Sequence, residues 1–142
     1  MALEMDVAAL TVFMTSDFAE VADQFVVESA DENALTVRLR VGAQHLRPGG
    51  TVSGPTIFAL ADVAVYLAIL SRIGPKALTV TTNASIDFLR KPGAGRDIIA
   101  VAKILKLGRV LVVGDVLIYS EGVADPVARA SMTYSIPPVA KE

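Results

Sequence analysis

The chain of 142 residues contains no cysteine. This excludes a disulfide framework, a thiolate metal site and a cysteine nucleophile. It has one histidine, His45, so a metal centre built from several imidazoles cannot form within one chain. Charge is sparse: Asp, Glu, Lys and Arg make up 20% of the residues against 53% hydrophobic, the reverse of a disordered chain. The net charge of −2 offers nucleic acid no strong global attraction. Residues 1–22 lack a basic n-region and carry Glu4, Asp6, Asp17 and Glu20, unlike an export signal. The most apolar stretch, 55–71, is short for a membrane span and holds Asp62 near its middle. A cytoplasmic protein with no membrane and no nucleic-acid partner is expected.

What remains fits a single domain over residues 1–142, with residues 1–20 as a helix and lead-in. The apolar excess exceeds what one small domain hides, so a homo-oligomer is expected. Residues 6–14 read as a short amphipathic helix with Val7, Leu10 and Met14 on one stripe. Residues 25–28 and 35–41 read as two strands about a turn at Asp31, Glu32 and Asn33. In the second, Leu35, Val37, Leu39 and Val41 alternate with Thr36, Arg38 and Arg40, the period of a half-buried strand. A turn-rich segment, 47–55, leads into an apolar helix from Pro55 to about Arg72, stopped by Gly74 and Pro75. Runs 78–89, 97–107, 110–119 and 127–136 read as strands joined by short turns, which favours an antiparallel sheet. The helix is apolar in every direction around its axis, so it must be buried on all sides. One long helix wrapped by a curved antiparallel sheet is the hotdog architecture, an α+β fold.

Asp62 is the single charge between Arg47 and Arg72. A buried carboxylate is costly unless paired or hydrogen-bonded. It is read either as a general base or as the partner of Arg47 or of an arginine from another chain. Ser53 and Pro55 suit the N-cap and first turn of a helix. The free amides of that turn also suit an oxyanion, and Gly54 is the natural donor because Pro55 has no N–H. Thr51 and Pro55 stand where a serine-hydrolase elbow around Ser53 needs glycine. A His45–Ser53 pair is a weaker alternative. On the strand 78–89, Leu78, Val80, Thr82, Ala84, Ile86 and Phe88 are expected against the helix. The opposite face, Thr79, Thr81, Asn83, Ser85 and Asp87, is either solvated or lines a channel, with Asn83 a substrate-binding candidate. Residues 90–109 collect Arg90, Lys91, Arg96, Lys103, Lys106 and Arg109 against Asp97 alone, a local positive surface or merely solvated turns. Ile57, Phe58, Tyr66 and Ile69 are candidates to surround a short aliphatic or aromatic acyl group.

The run Arg47-Pro48-Gly49-Gly50-Thr51-Val52-Ser53-Gly54-Pro55, followed by Leu60-Ala61-Asp62, resembles the Asn-Pro-x-Gly-x-x-His-Gly-Gly…Leu-x-Asp signature. That signature marks hotdog acyl-CoA thioesterases of the phenylacetic-acid-degradation (PaaI-like) type. Ile86-Asp87-Phe88-Leu89-Arg90-Lys91-Pro92 and Leu107-Gly108-Arg109 are similar to the same family, and the resemblance covers nearly all of the chain after about residue 20. It implies hydrolysis of acyl-CoA to free acid and coenzyme A, with no metal and no cofactor beyond the coenzyme A of the substrate. By that resemblance Asp62 is the catalytic carboxylate, which activates water or itself attacks the thioester carbonyl, and Gly54 is the amide that polarises that carbonyl. Thr81 reaches the site from a partner subunit, and Arg90, Lys91 and Arg109 hold the nucleotide. Arg47, Ser53 and Pro55 replace the family's usual Asn, His and second Gly. Ser53 can still orient water or the leaving sulfur, and Arg47 can bind substrate or clamp Asp62. The resemblance also implies a homodimer or a dimer of dimers. A hotdog hydratase or dehydratase and a non-catalytic acyl-CoA-binding protein are the competing expectations.

Overall fold

A computed structural model describes residues 3–138. Asp6 caps the first helix, α1 (Val7–Asp17), accepting a hydrogen bond from the Ala9 N–H at 2.9 Å. Leu10, Phe13 and Met14 form its buried face. Strand β1 (Phe25–Ala30) turns into β2 (Leu35–Leu39). Asp31 holds that turn, its Oδ1 accepting from the Asn33 and Ala34 amides at 2.7 and 2.9 Å. These two bonds hold the Asp31 carboxyl below the usual carboxylate range. Leu35, Val37 and Leu39 are buried as their alternation requires. The strand ends two residues early because the Val41 N–H donates to the Asp97 side chain at 3.0 Å instead of to a neighbouring strand.

The long helix, α2 (Gly54–Ile73), is capped by Ser53, whose Oγ accepts from the Thr56 N–H at 3.3 Å. Gly74 ends it with φ of 92°, a conformation that side-chain-bearing residues rarely adopt. The helix is long and apolar enough to cross a membrane by length and composition, yet its second half is buried within the domain. Strands β3 (Val80–Phe88), β4 (Ile98–Leu107), β5 (Leu111–Ser120) and β6 (Ala128–Ser135) complete one antiparallel sheet of order β1-β2-β4-β5-β6-β3. Consecutive strands β4, β5 and β6 pair as hairpins, whereas β3 crosses to the far edge and pairs with β6. The sheet packs on α2 through β2, β4, β5 and β6. Gly114 of β5 leaves room for this packing, since a Cβ there would lie 2.9 Å from Val65 Cγ1. The result is the hotdog fold: a curved antiparallel sheet around one long helix.

Strand β3 departs from simple alternation. Thr81 pairs with Tyr134, but Asn83 pairs with Thr133, so Thr82 is an extra residue, a β-bulge. The bulge reverses the facing of the strand. After it, Ala84, Ile86 and Phe88 lie on the side of α2 as expected, opposite the buried Met132, Ala130 and Ala128 of β6. Before it, Thr79 and Thr81 turn inward, and Leu78 and Val80 are left 76% and 55% exposed. The expectation that Leu78 and Val80 pack on the helix is therefore wrong for this half of the strand.

Candidate active site

The first half of α2 is not covered on every side. Phe58, Asp62 and Val63 are half-buried and Pro55 and Ala59 are exposed, one stripe at spacings of three and four residues. Asp62 lies in this stripe. Its Oδ1 accepts from the Thr81 hydroxyl at 2.8 Å and from the Tyr134 hydroxyl, which also reaches the Asp62 backbone carbonyl at 2.6 Å. Thr81 thus shares a chain with Asp62, correcting the expectation that it comes from a partner. Burial first, then the charge of Asp62, holds the Tyr134 hydroxyl well above the ordinary tyrosine range, so it remains a donor.

The carboxylate opens on a hollow of about 420 Å³ between α1, α2 and the start of β3. Met14, Phe18 and Val21 form one wall, Val63 and Tyr66 another, and Thr79, Val80 and Thr81 a third. Phe18 meets Tyr66 edge-on at 5.6 Å, and Tyr66 packs on Tyr134 at 6.2 Å. The Tyr66 hydroxyl donates to the Ala77 carbonyl at 2.9 Å, and burial, with a smaller effect of Asp17, pushes its pKa up to about 12. Of the four residues expected around an acyl group, Tyr66 alone lines this hollow. Ile69 is wholly buried in the core, and Ile57 lines a different depression.

That second depression, of about 340 Å³, lies at the start of α2 and brings Arg47, Gly54, Phe88, Arg90 and Lys91 together. Three cations there face a helix N-terminus, where an anion is favoured. The Thr56 N–H is taken by Ser53 Oγ and the Ile57 N–H by the Ser53 carbonyl. Among the described residues the Gly54 N–H has no acceptor within the chain. A Cβ on Gly54 would sit 3.4 Å from the Phe88 ring, ordinary contact, so packing within the chain does not itself demand glycine. Gly54 and Asp62 are eight residues apart on one helix, roughly 12 Å along its axis.

Other expected residues are placed elsewhere. Ser53 is the helix cap, its hydroxyl shared with Thr56 Oγ1 at 2.8 Å, and it lines neither hollow. Arg47 stands at the start of α2, and among the described residues it forms no ion pair with Asp62. His45 is buried, its Nδ1 accepting from the Gly42 N–H at 2.8 Å and its Nε2 facing Gln24 Oε1 at 2.8 Å. Both ring nitrogens are engaged, so the His45–Ser53 pair does not form. Asn83 lies beyond the bulge on the outer face of the sheet, opposite Thr133. Arg109 is separated from Arg90 and Lys91 within the chain. Arg90 bonds to Pro126, before β6, while the β4–β5 turn bonds to Ile136, after it. The eight residues of β6 between them span roughly 25 Å. The basic run 90–109 is thus not one patch within a chain. Lys103 lies on the outer face of the sheet in a larger hollow of about 660 Å³, with Asp115 and the Asp87–Arg129 ion pair at 3.0 Å. Among the described residues no three His, Asp or Glu side chains converge as metal ligands.

Tyr134 and Phe18 are site residues that the sequence pattern did not single out, and Met14 was read only as part of the apolar stripe of α1. The signal for Tyr134 was present: Ala128, Ala130, Met132 and Tyr134 alternate inward along β6.

The thioesterase superfamily model matches residues 49–127, from the loop before α2 to the start of β6. A candidate thioesterase from Silicibacter sp. TM1040 is 52% identical, with a TM-score of 0.91 over 97% of this chain and 96% of its own. A variant of the phenylacetic acid degradation protein PaaI from Thermus thermophilus is 29% identical, TM-score 0.72, over 84% of this chain and 99% of its own. A hypothetical thioesterase protein with coenzyme A from Streptococcus pneumoniae TIGR4 shares the fold at 22% identity, TM-score 0.74, over 87% of this chain and 96% of its own. Among curated proteins none matches. The chain belongs to the thioesterase superfamily, as a hotdog-fold enzyme of the PaaI-like type.

Proposed function

We propose that the chain hydrolyses acyl-CoA thioesters, with Asp62 as the general base. The observation that carries this is a carboxylate with one oxygen tied by two hydroxyls, at the mouth of a largely apolar hollow whose lining suits an acyl group. Water placed beside Asp62 Oδ2 gives up a proton to it as the oxygen adds to the thioester carbonyl carbon. The tetrahedral oxyanion then collapses, the C–S bond breaks, and the proton held by Asp62 goes to the departing coenzyme A sulfur.

The oxyanion needs a donor about 3 Å away, and the chain's own Gly54 is roughly 12 Å from Asp62. The chain supplies the donor through a second copy. The midpoint of Gly54 and Asp62 on α2 is residue 58. On β3, Thr81 bonds Asp62 and Phe88 lies against Gly54, so the corresponding midpoint falls at Ala84 or Ser85. One two-fold axis beside these midpoints pairs the exposed edges of β3 antiparallel and sets Gly54 of each copy opposite Asp62 of the other. The same operation brings the Arg109 end of one copy beside Arg47, Arg90 and Lys91 of the other. The basic side chains separated within one chain then flank a single site, suited to the phosphates of coenzyme A. The bound coenzyme A named for the Streptococcus pneumoniae relative supports this substrate class.

The hydratase reading lacks a histidine beside the carboxylate, because His45 is engaged by Gly42 and Gln24. The binding-protein reading requires Arg47 to neutralise Asp62; within one chain that pair does not form, because Arg47 lies beside Gly54 at the other end of the stripe, and turnover of any acyl-CoA decides against such a pair between copies. The test is free-thiol release from a broad panel of acyl-CoAs. Asp62→Asn is expected to lose at least ~100-fold in kcat while staying folded. Undiminished hydrolysis by Asp62→Asn, or none by the unmodified protein on any member, overturns the proposal.

A further inference from the structure

We propose that Tyr134 is the positioning residue of the Asp62 carboxylate: its hydroxyl occupies Oδ1 and leaves Oδ2 as the oxygen that serves the reaction. This rests on the hydrolytic role proposed for Asp62. A carboxylate can rotate about its last side-chain bond and exchange its two oxygens. Here Thr81 and Tyr134 both donate to Oδ1, and among the described residues nothing donates to Oδ2. Both donors hold the same oxygen, so rotation breaks two charge-assisted bonds at once. Thr81 belongs to an exposed edge strand, whereas Tyr134 is 1% exposed, on a strand paired on both sides, with its ring packed on Tyr66. The rigid member of the pair is Tyr134.

The second acceptor beside the Tyr134 hydroxyl gives it a further property. One O–H carries one proton, and both Asp62 Oδ1 and the Asp62 backbone carbonyl are within its reach. While the carboxylate is ionised, the proton points to Oδ1. When Asp62 takes the proton of water on Oδ2, Oδ1 becomes a weaker acceptor and the hydroxyl shares its proton with the backbone carbonyl. It is never left buried without an acceptor in either state, which would be costly. The base can change charge during turnover without the site having to open.

Tyr134→Phe keeps the ring and removes only the oxygen. Its kcat for acyl-CoA hydrolysis is expected to fall about tenfold, with KM within about twofold of the unmodified enzyme and a melting temperature above that of the assay. In an Asp62→Asn background the same substitution is expected to change the residual rate by less than about twofold, because the group it acts through is gone. An unchanged kcat, or an equal loss in both backgrounds, overturns the positioning role while leaving Asp62 as the base. A thermal-stability cycle on the same four proteins needs no activity. If it shows Tyr134 coupled to Asp62 but the unmodified protein hydrolyses no thioester, the bond is purely structural and both proposals fall.

Discussion

Two inactive variants of this chain should restore activity when mixed. In the proposed mechanism, a water molecule activated by Asp62 attacks the carbonyl carbon, and the amide donor grips the oxygen bonded to that carbon. Base and donor must each be about 3 Å from one of two oxygens that share a carbon, so they cannot be more than roughly 8 Å apart. Within a chain, Asp62 and Gly54 are separated by roughly 12 Å of α2. Gly54→Asp is a suitable lesion for the donor side. The Cβ fits beside Phe88, an acidic residue favours a helix N-terminus, and its charge repels an oxyanion. Alone, Asp62→Asn and Gly54→Asp should each lose ~100-fold or more in kcat. When equal amounts are unfolded and refolded together, half the dimers are mixed. Each mixed dimer carries one site with both lesions and one with neither. Activity should therefore recover to about a quarter of that of the unmodified protein. The assay is thiol release before and after mixing, with sedimentation to confirm dimers. A refolded mixture no more active than its components would show that each site is built within one chain, and the two-fold arrangement would be wrong.

Arg90→Ala and Arg109→Ala should each raise KM for acyl-CoA several-fold and leave kcat nearly unchanged, since the nucleotide keeps its charge during cleavage. The unmodified enzyme's KM should rise with salt, and a short thioester without the nucleotide should respond to none of these changes; steady-state kinetics over a salt series decides it. Asp31→Ala should lower the melting temperature near neutral pH by opening the β1–β2 turn. Because the Asp31 carboxyl is depressed in the folded state, its contribution is present above the ordinary carboxylate pKa and is lost as pH falls through the folded value. The gap in melting temperature between variant and unmodified protein should therefore close as the pH drops below about 4, and a gap that persists there would refute the turn assignment.

Much of the fold was legible because apolar period and capping residues act locally. The alternation Leu35, Val37, Leu39 set the facing of β2, and Ser53, Pro55 and Gly74 marked the ends of α2 within a residue or two. Asp62 was legible for a related reason: one charge in an apolar helix must have partners. The partners themselves were not, since Tyr134 lies 72 residues away and meets Asp62 only when β6 closes over α2. The crossing of β3 to the far edge of the sheet was invisible because strand order leaves no local trace. The basic run 90–109 misled because neighbours in sequence, Arg90 and Arg109, are carried to opposite ends of β6. His45 misled less: a lone histidine near a serine is compatible with many roles, and burial against Gly42 and Gln24 settles which one applies.

The bulge at Thr82 joins these elements into a site. Thr81 must face α2 to hold Asp62, and Phe88 must face α2 to lie against Gly54. They are seven residues apart. In a regular strand an odd separation puts two side chains on opposite faces. A continuous β3 could therefore support the carboxylate or the helix start, but not both. One extra residue between them corrects the parity. It also explains why Val80 and Leu78, inward by simple alternation, are turned outward to the exposed side of the edge strand. There they become apolar surface that a second copy paired along β3 can cover. The same irregularity that places the hydroxyl of Thr81 on Asp62 leaves Leu78 and Val80 as exposed apolar surface on the edge strand.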